Sequence, residues 1–110
     1  MNALEKIEEA IGKLIDKEKL NARVHRDASI KHFQRSADLY KEAADAYDPG
    51  NENNQKLGDK LTRQAEQESI AGDAEWKKAV AEDNKIKGKQ ETLDRIRKMW
   101  ARKRPIPTPE

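Results

Sequence analysis

Two histidines, His25 and His32, are the residues of this chain whose type and spacing come nearest to a metal or catalytic site. They lie seven residues apart, so in a helix both occupy one face, two turns from each other. Helical bundles that bind two metal ions place a glutamate three residues before each histidine, but here those positions hold Ala22 and Ser29. The helical zinc motif needs histidines four residues apart. We therefore expect no metal ligands, with His25 in a polar part of a helix seam and His32 at the surface.

The sequence also lacks the residues and spacings that nucleophilic catalysis requires. The chain has no cysteine, which excludes disulfides, thiolate metal sites and thiol nucleophiles. Ser29, His25 and Asp27 are neighbours on one helix and cannot reach the mutual geometry of a catalytic triad. The five glycines are scattered without a phosphate-binding or dinucleotide-binding spacing. We expect no catalytic residue, no cofactor-binding residue and no cofactor, so the protein is predicted not to be an enzyme.

A basic segment near the end of the chain could bind a partner. Residues 85–104 contain nine Lys or Arg and two acids, a local charge of +7, whereas the whole chain has a net charge of +2. Such a segment can neutralise phosphates or dock on an acidic protein, or it can simply complement the dipole of a helix C-terminus. The candidate partner-binding residues are Arg95, Arg97, Lys98, Trp100, Arg102, Lys103 and Arg104.

The elements that position these residues are helices. The chain is 40% charged and only 35% hydrophobic, the composition of long helices that each bury a narrow stripe. Asn2 followed by Glu5 predicts a helix start, and Asp48-Pro49-Gly50-Asn51 predicts a tight reversal. We predict one domain over residues 1–104, with a helix over 3–47, a turn over 48–51 and a helix over 52–103. The alternate prolines of residues 105–110 predict a flexible extended tail.

Apolar residues recur at steps of three and four along both predicted helices. The period that joins the two ends of the first helix is nearer 3.6 than 3.5, because Ile11, Ala22, Phe33 and Ala44 align at steps of eleven. This period predicts a weakly supercoiled helix. The predicted self-association stripe consists of Leu4, Ile7, Ile11, Leu14, Phe33, Tyr40, Leu57, Leu61, Ile86, Leu93 and Ile96.

A fold at Gly50 brings together residues whose numbers add up to about 100. The apolar ends then meet, and the polar middles meet as well, with His25 and Ser29 facing residues 72–76. We therefore predict an all-α protein, a long antiparallel two-helix hairpin that resembles a coiled coil, roughly 65–75 Å long at 1.5 Å per residue. The alternative is a compact three- or four-helix bundle in which the second helix breaks at residues 69–73.

These features predict a non-enzymatic structural or adaptor protein that acts by helix-mediated self-association and protein–protein interaction. Its expected partners are another protein, itself as a homo-oligomer, or both. The alternative is a nucleic-acid-binding protein that uses the basic C-terminal helix end. No apolar run approaches the roughly 20 residues of a membrane span, and charges interrupt the first 15 residues, so we expect no membrane partner and a cytoplasmic location. Export without a cleaved signal is the alternative location.

The architecture resembles that of small secreted helical hairpins whose turn carries a Trp-X-Gly motif. In this chain the turn reads Tyr47-Asp48-Pro49-Gly50-Asn51, and both tryptophans, Trp76 and Trp100, lie far from it. The motif of that family is therefore missing, and the resemblance implies neither membership nor an export role.

Overall fold

The chain forms two long α-helices that run antiparallel. The computed structural model describes residues 2–47 and 52–103, in which α1 spans Ala3–Ala46 and α2 spans Glu52–Lys103. Both helices agree with the predicted ranges, and α1 ends one residue earlier than expected. The predicted turn over 48–51 and the predicted tail over 105–110 lie outside the described residues.

Residues outside α1 satisfy the free backbone groups at both of its ends. The Asn2 side chain accepts a hydrogen bond of 2.8 Å from the Glu5 backbone N–H, which confirms the predicted N-cap. Glu5 also puts an acidic side chain in the first turn, where it suits the helix dipole. At the other end, the Tyr47 N–H donates to the carbonyl oxygen of Ala43 at 3.1 Å and closes the last turn. Local sequence signals therefore set the start of this helix.

The hairpin is extended, with principal dimensions of 94 × 19 × 17 Å. Its radius of gyration is 25.1 Å, against roughly 13 Å for a compact domain of this size. Because α2 continues without a break through residues 69–73, the compact-bundle alternative is wrong. The rod is longer than the predicted 65–75 Å although the helices have nearly the predicted lengths, because the 52 residues of α2 alone span about 78 Å.

Burial along both helices follows a strict step of seven residues. We call the most buried row the inner row, and the half-buried row beside it the second row. The inner row consists of Ile15, Ala22, Ser29, Ser36 and Ala43 in α1 and of Gly58, Ala65, Gly72, Ala79, Ile86 and Leu93 in α2. The second row consists of Leu4, Ile11, Glu18, His25, His32, Leu39 and Ala46 in α1 and of Asn54, Leu61, Glu68, Glu75, Glu82, Lys89 and Ile96 in α2. The two rows alternate at steps of three and four, as in a coiled coil.

The predicted eleven-residue alignment was wrong. Ile11 and Ala22 belong to the seam, but Phe33 and Ala44 are exposed. The spacing of apolar residues predicted the wrong alignment because the inner row of this region contains Ser29 and Ser36, which are buried but not apolar. Size, rather than hydrophobicity, decides which residues fit between two closely packed helices.

Serine hydroxyls fix the register of the two helices. Ser29 Oγ donates to the carbonyl oxygen of Gly72 at 2.9 Å, and Ser36 Oγ donates to that of Ala65 at 2.8 Å. The second serine lies seven residues after the first in α1, and its partner lies seven residues before the first partner in α2. This antiparallel register confirms the predicted pairing. Near the chain termini the same seam contains larger side chains, where Ile15, Ile86 and Leu93 form the buried cluster and Ile11 packs against it. The core therefore changes from small residues to large ones along one continuous interface.

Candidate protein-interaction surfaces

Histidine–glutamate pairs fill the middle of the seam. His25 Nδ1 lies 2.6 Å from Glu75 Oε2, and His32 Nδ1 lies 2.6 Å from Glu68 Oε2. The prediction that His25 and Ser29 face residues 72–76 is confirmed by these contacts. His32, predicted at the surface, lies in the second row with His25 and keeps 38% of its side chain exposed.

The partners of the histidines were not predicted from the sequence, although a signal was present. Glu68 and Glu75 are themselves seven residues apart, at the same spacing as the two histidines. The hydrogen bond with His25 lowers the pKa of the Glu75 carboxyl below its usual value, and Lys78 adds to this effect. A carboxylate is therefore favoured at this position in the folded hairpin.

Ion pairs extend this polar region toward the chain termini. Lys89 pairs with Glu18, whose second carboxylate oxygen is buried without a hydrogen-bond partner in the described part of the chain. Arg26 reaches Asp83 across the hairpin at 2.6 Å. These contacts are specific in register, but most of the side chains are partly solvated, so each pair adds little stability.

The predicted self-association stripe does not form a single surface. Two of its members, Ile86 and Leu93, are buried between the helices, and four others are half-buried in the second row: Leu4, Ile11, Leu61 and Ile96. The remaining five are exposed on the outside of the hairpin: Ile7, Leu14, Phe33, Tyr40 and Leu57. Part of the stripe thus holds the hairpin together, and only the outer part is available to a partner.

An apolar column runs along the outside of α1 in the half nearer the predicted turn. We call it the aromatic column; it consists of Ile30, Phe33, Ala37, Tyr40, Ala44 and Tyr47. Its members follow one another at steps of three and four without a charged residue, and all are exposed. The three rings are 39% to 44% exposed. The column is a second stripe of the kind that buries a helix face, and α2 covers it only in part.

Glycines of α2 seat two of these rings. A Cβ atom added to Gly72 would lie 2.9 Å from the Phe33 ring, and one added to Gly58 would lie 2.8 Å from the Tyr47 ring. The rings therefore pack with one face against α2 at these glycines and stay partly exposed to solvent. The two contacts are separated by two steps of seven in both helices, and Tyr40 lies midway between Phe33 and Tyr47 in the sequence.

An acidic column on α2 runs beside the aromatic column. It consists of Asp59, Glu66 and Asp73, which are exposed and seven residues apart. The Tyr47 hydroxyl donates a hydrogen bond of 2.6 Å to Asp59 Oδ1, and this bond raises the pKa of Tyr47 above its usual value. The register that joins Tyr47 to Asp59 sets Tyr40 opposite Glu66 and Phe33 opposite Asp73. The register therefore sets each ring level with a carboxylate, and among the described residues a hydrogen bond joins Tyr47 with Asp59.

The predicted basic residues lie at the opposite end of the rod. Arg95, Lys98 and Arg102 are exposed, and their steps of three and four place them on one side of α2. Arg97 instead turns toward α1, where its Nε lies 3.2 Å from Glu8 Oε1. Trp100 is 38% exposed. The side chains of the other two predicted residues, Lys103 and Arg104, lie outside the described residues.

Neither α1 nor α2, over the ranges given above, contains a stretch long and apolar enough to cross a membrane. Within residues 2–47 and 52–103, no three histidine or carboxylate side chains are grouped so that they could hold a metal ion. No protein family, no curated protein sequence and no solved structure matches the chain.

Proposed function

We propose that this protein is a non-enzymatic structural or adaptor protein that acts by self-association and by protein–protein contact through its helices. The observation that carries the proposal is the exposed aromatic column. Exposed apolar patches of this length are typical of surfaces that contact another protein, and aromatic residues are enriched in the centres of such interfaces.

The small-residue seam supports this interpretation. Ala22, Ala65 and Ala79 are almost completely buried, so the two helices already pack closely without the large side chains of the outer face. The rings of Phe33 and Tyr40 are therefore not needed to fill a core. Over residues 2–47 and 52–103, a hairpin only 19 × 17 Å across has no interior besides the seam in which a substrate could be enclosed. Contact along the outside of the rod is the activity that this shape favours.

Sedimentation equilibrium on the purified chain over a wide concentration range tests the proposal. We expect a mass that is a multiple of 12.6 kDa for the unmodified chain, and the monomer mass when Phe33→Ser and Tyr40→Ser are combined. The matched control combines Leu20→Ser with Ile70→Ser, which are 61% and 68% exposed and lie outside the aromatic column, and should leave the mass unchanged. A monomer at every concentration would contradict self-association.

A second candidate function is nucleic-acid binding by the basic end. The observation that favours it is the exposure of Arg95, Lys98 and Arg102 on one side of α2. Binding of this kind is governed by counterion release, so affinity should fall steeply between about 50 and 200 mM salt. Replacing the three residues by glutamine should abolish binding of a labelled DNA or RNA duplex. No binding of either duplex at low salt would eliminate this candidate.

A further inference from the structure

The aromatic and acidic columns together form one surface, which we call the acidic–aromatic face. Each of its three steps presents a ring from α1 and a carboxylate from α2. The steps are Phe33 with Asp73, Tyr40 with Glu66, and Tyr47 with Asp59. Two contacts fix this arrangement, the hydrogen bond between Tyr47 and Asp59 and the packing of Phe33 on Gly72, the residue next to Asp73. Successive steps are about 10.5 Å apart along the rod, because each is seven helical residues from the next.

The chemistry of this face selects a cation. Aromatic ring faces carry partial negative charge and attract Lys and Arg side chains, and a carboxylate beside the ring adds an ionic partner. Arginine suits such a site best, because its planar guanidinium stacks on a ring while its N–H groups bond a carboxylate. The ligand that fits all steps is a helix with basic side chains repeated every seven residues.

The same chain carries such a helix surface at its other end. Arg95 and Arg102 are exposed and seven residues apart, and Lys98 lies between them on the same side of α2. We call these three residues the basic face. The spacing of Arg95 and Arg102 equals that of two neighbouring carboxylates on the acidic–aromatic face. Charge and spacing therefore match between the two ends of one molecule.

The two faces of one molecule cannot meet. Asp73 and Arg95 lie on the same uninterrupted helix, 22 residues apart, which corresponds to about 33 Å along the rod. The helix between them is continuous, so it does not fold back on itself. The basic face that docks on an acidic–aromatic face must therefore belong to another molecule.

We infer that the basic face of one copy of this chain docks on the acidic–aromatic face of a second copy, in a head-to-tail contact. This inference rests on the proposed self-association and specifies its geometry. Because the two contacting surfaces differ, a docked pair still offers one unused basic face on one copy and one unused acidic–aromatic face on the other. The contact can then repeat from copy to copy into staggered chains, or close when two antiparallel copies engage both pairs of faces at once.

A charge-swap experiment tests the contact. One variant reverses the acidic–aromatic face (Asp59→Lys, Glu66→Lys and Asp73→Lys), and the other reverses the basic face (Arg95→Glu, Lys98→Glu and Arg102→Glu). All six positions are exposed, so both variants should retain the helical circular dichroism of the unmodified chain. In low salt we expect the unmodified chain to form assemblies that shrink as salt is added, and each variant alone to sediment at 12.6 kDa.

Mixing the two variants in equal amounts should restore the assemblies, because each face then meets a face of opposite charge. A control variant with Asp38→Lys and Asp45→Lys, which reverses exposed charges of α1 outside both faces, should assemble as the unmodified chain does. Rescue on mixing, together with normal assembly of the control, would support the contact.

Other outcomes separate this inference from the proposed function. If the unmodified chain assembles but neither reversal changes its mass, the head-to-tail contact is wrong and self-association stands. If only reversal of the acidic–aromatic face prevents assembly, and mixing does not rescue it, another basic segment is the occupant and the inference is overturned. If the chain is a monomer at every concentration and salt, both the inference and the proposed self-association are wrong.

Discussion

The two ends of the hairpin share one register but hold it in opposite ways. Near the chain termini, Ile15, Ile86 and Leu93 point inward and form a conventional apolar cluster. Near the predicted turn, small residues such as Ala43 and Gly58 occupy the inner row, and the large apolar side chains point outward. One end therefore has large apolar side chains in its inner row, whereas the other has small residues there and rings at the border of the seam. A seam of small residues can therefore leave aromatic side chains available for contact with another molecule.

The largest effect is expected from a substitution in the buried apolar cluster near the chain termini. Ile86 is 8% exposed and lies in the buried cluster, so Ile86→Ala should lower the free energy of unfolding by about 2–4 kcal/mol. Ile70 lies on the same helix but is 68% exposed, and Ile70→Ala should change stability by less than about 0.5 kcal/mol. Urea unfolding followed by circular dichroism measures both. Equal losses for the two variants would show that the cluster near the termini is not the main apolar core.

The next effect tests whether the small residues are required by close packing. Ala22 is fully buried in the inner row, and Ala22→Leu should destabilise the hairpin by about 1–3 kcal/mol because the helices must separate or the side chain must take a strained rotamer. Ala37 is exposed on the same helix and provides the matched control. Ala37→Leu should leave the urea midpoint almost unchanged. A tolerated leucine at position 22 would indicate that the seam is looser than its burial suggests.

A smaller effect distinguishes the glycines that seat rings from those that do not. A Cβ atom at Gly88 would meet nothing within 4 Å, so Gly88→Ala should raise stability by about 1 kcal/mol through helix propensity alone. At Gly58 the added Cβ would lie 2.8 Å from the Tyr47 ring, and the ring would have to move. Thermal unfolding should therefore show a gain for Gly88→Ala that Gly58→Ala lacks. Equal gains for both variants would mean that the Tyr47 contact is not maintained.

The sequence was sufficient to predict the two helices, the N-cap at Asn2 and the antiparallel register, because these depend on local signals and on the matching of two long patterns. It was not sufficient to predict which residues occupy the inner row. Ser29 and Ser36 have polar side chains, and their burial depends on hydrogen bonds to carbonyl oxygens of the other helix. Similarly, the partial exposure of Phe33 follows from its position at the border of the seam, four residues after Ser29, which hydrophobicity alone does not reveal.

The smallest effect is expected from the histidine–glutamate pairs in the middle of the seam. The pKa of the Glu75 carboxyl is lowered from its usual value of 4.5, chiefly by the hydrogen bond with His25, so the folded hairpin favours the carboxylate form. The resulting stabilisation is fully present above pH 4.5 and is lost as the pH falls through the lower folded-state pKa. Urea midpoints measured from about pH 6 to about pH 3 should therefore fall less steeply for Glu75→Gln than for the unmodified chain. Glu91→Gln, at an exposed position, is the control and should retain the original slope. If Glu75→Gln keeps that slope too, acid sensitivity arises elsewhere, and the polar middle contributes register to the hairpin without contributing its pH dependence.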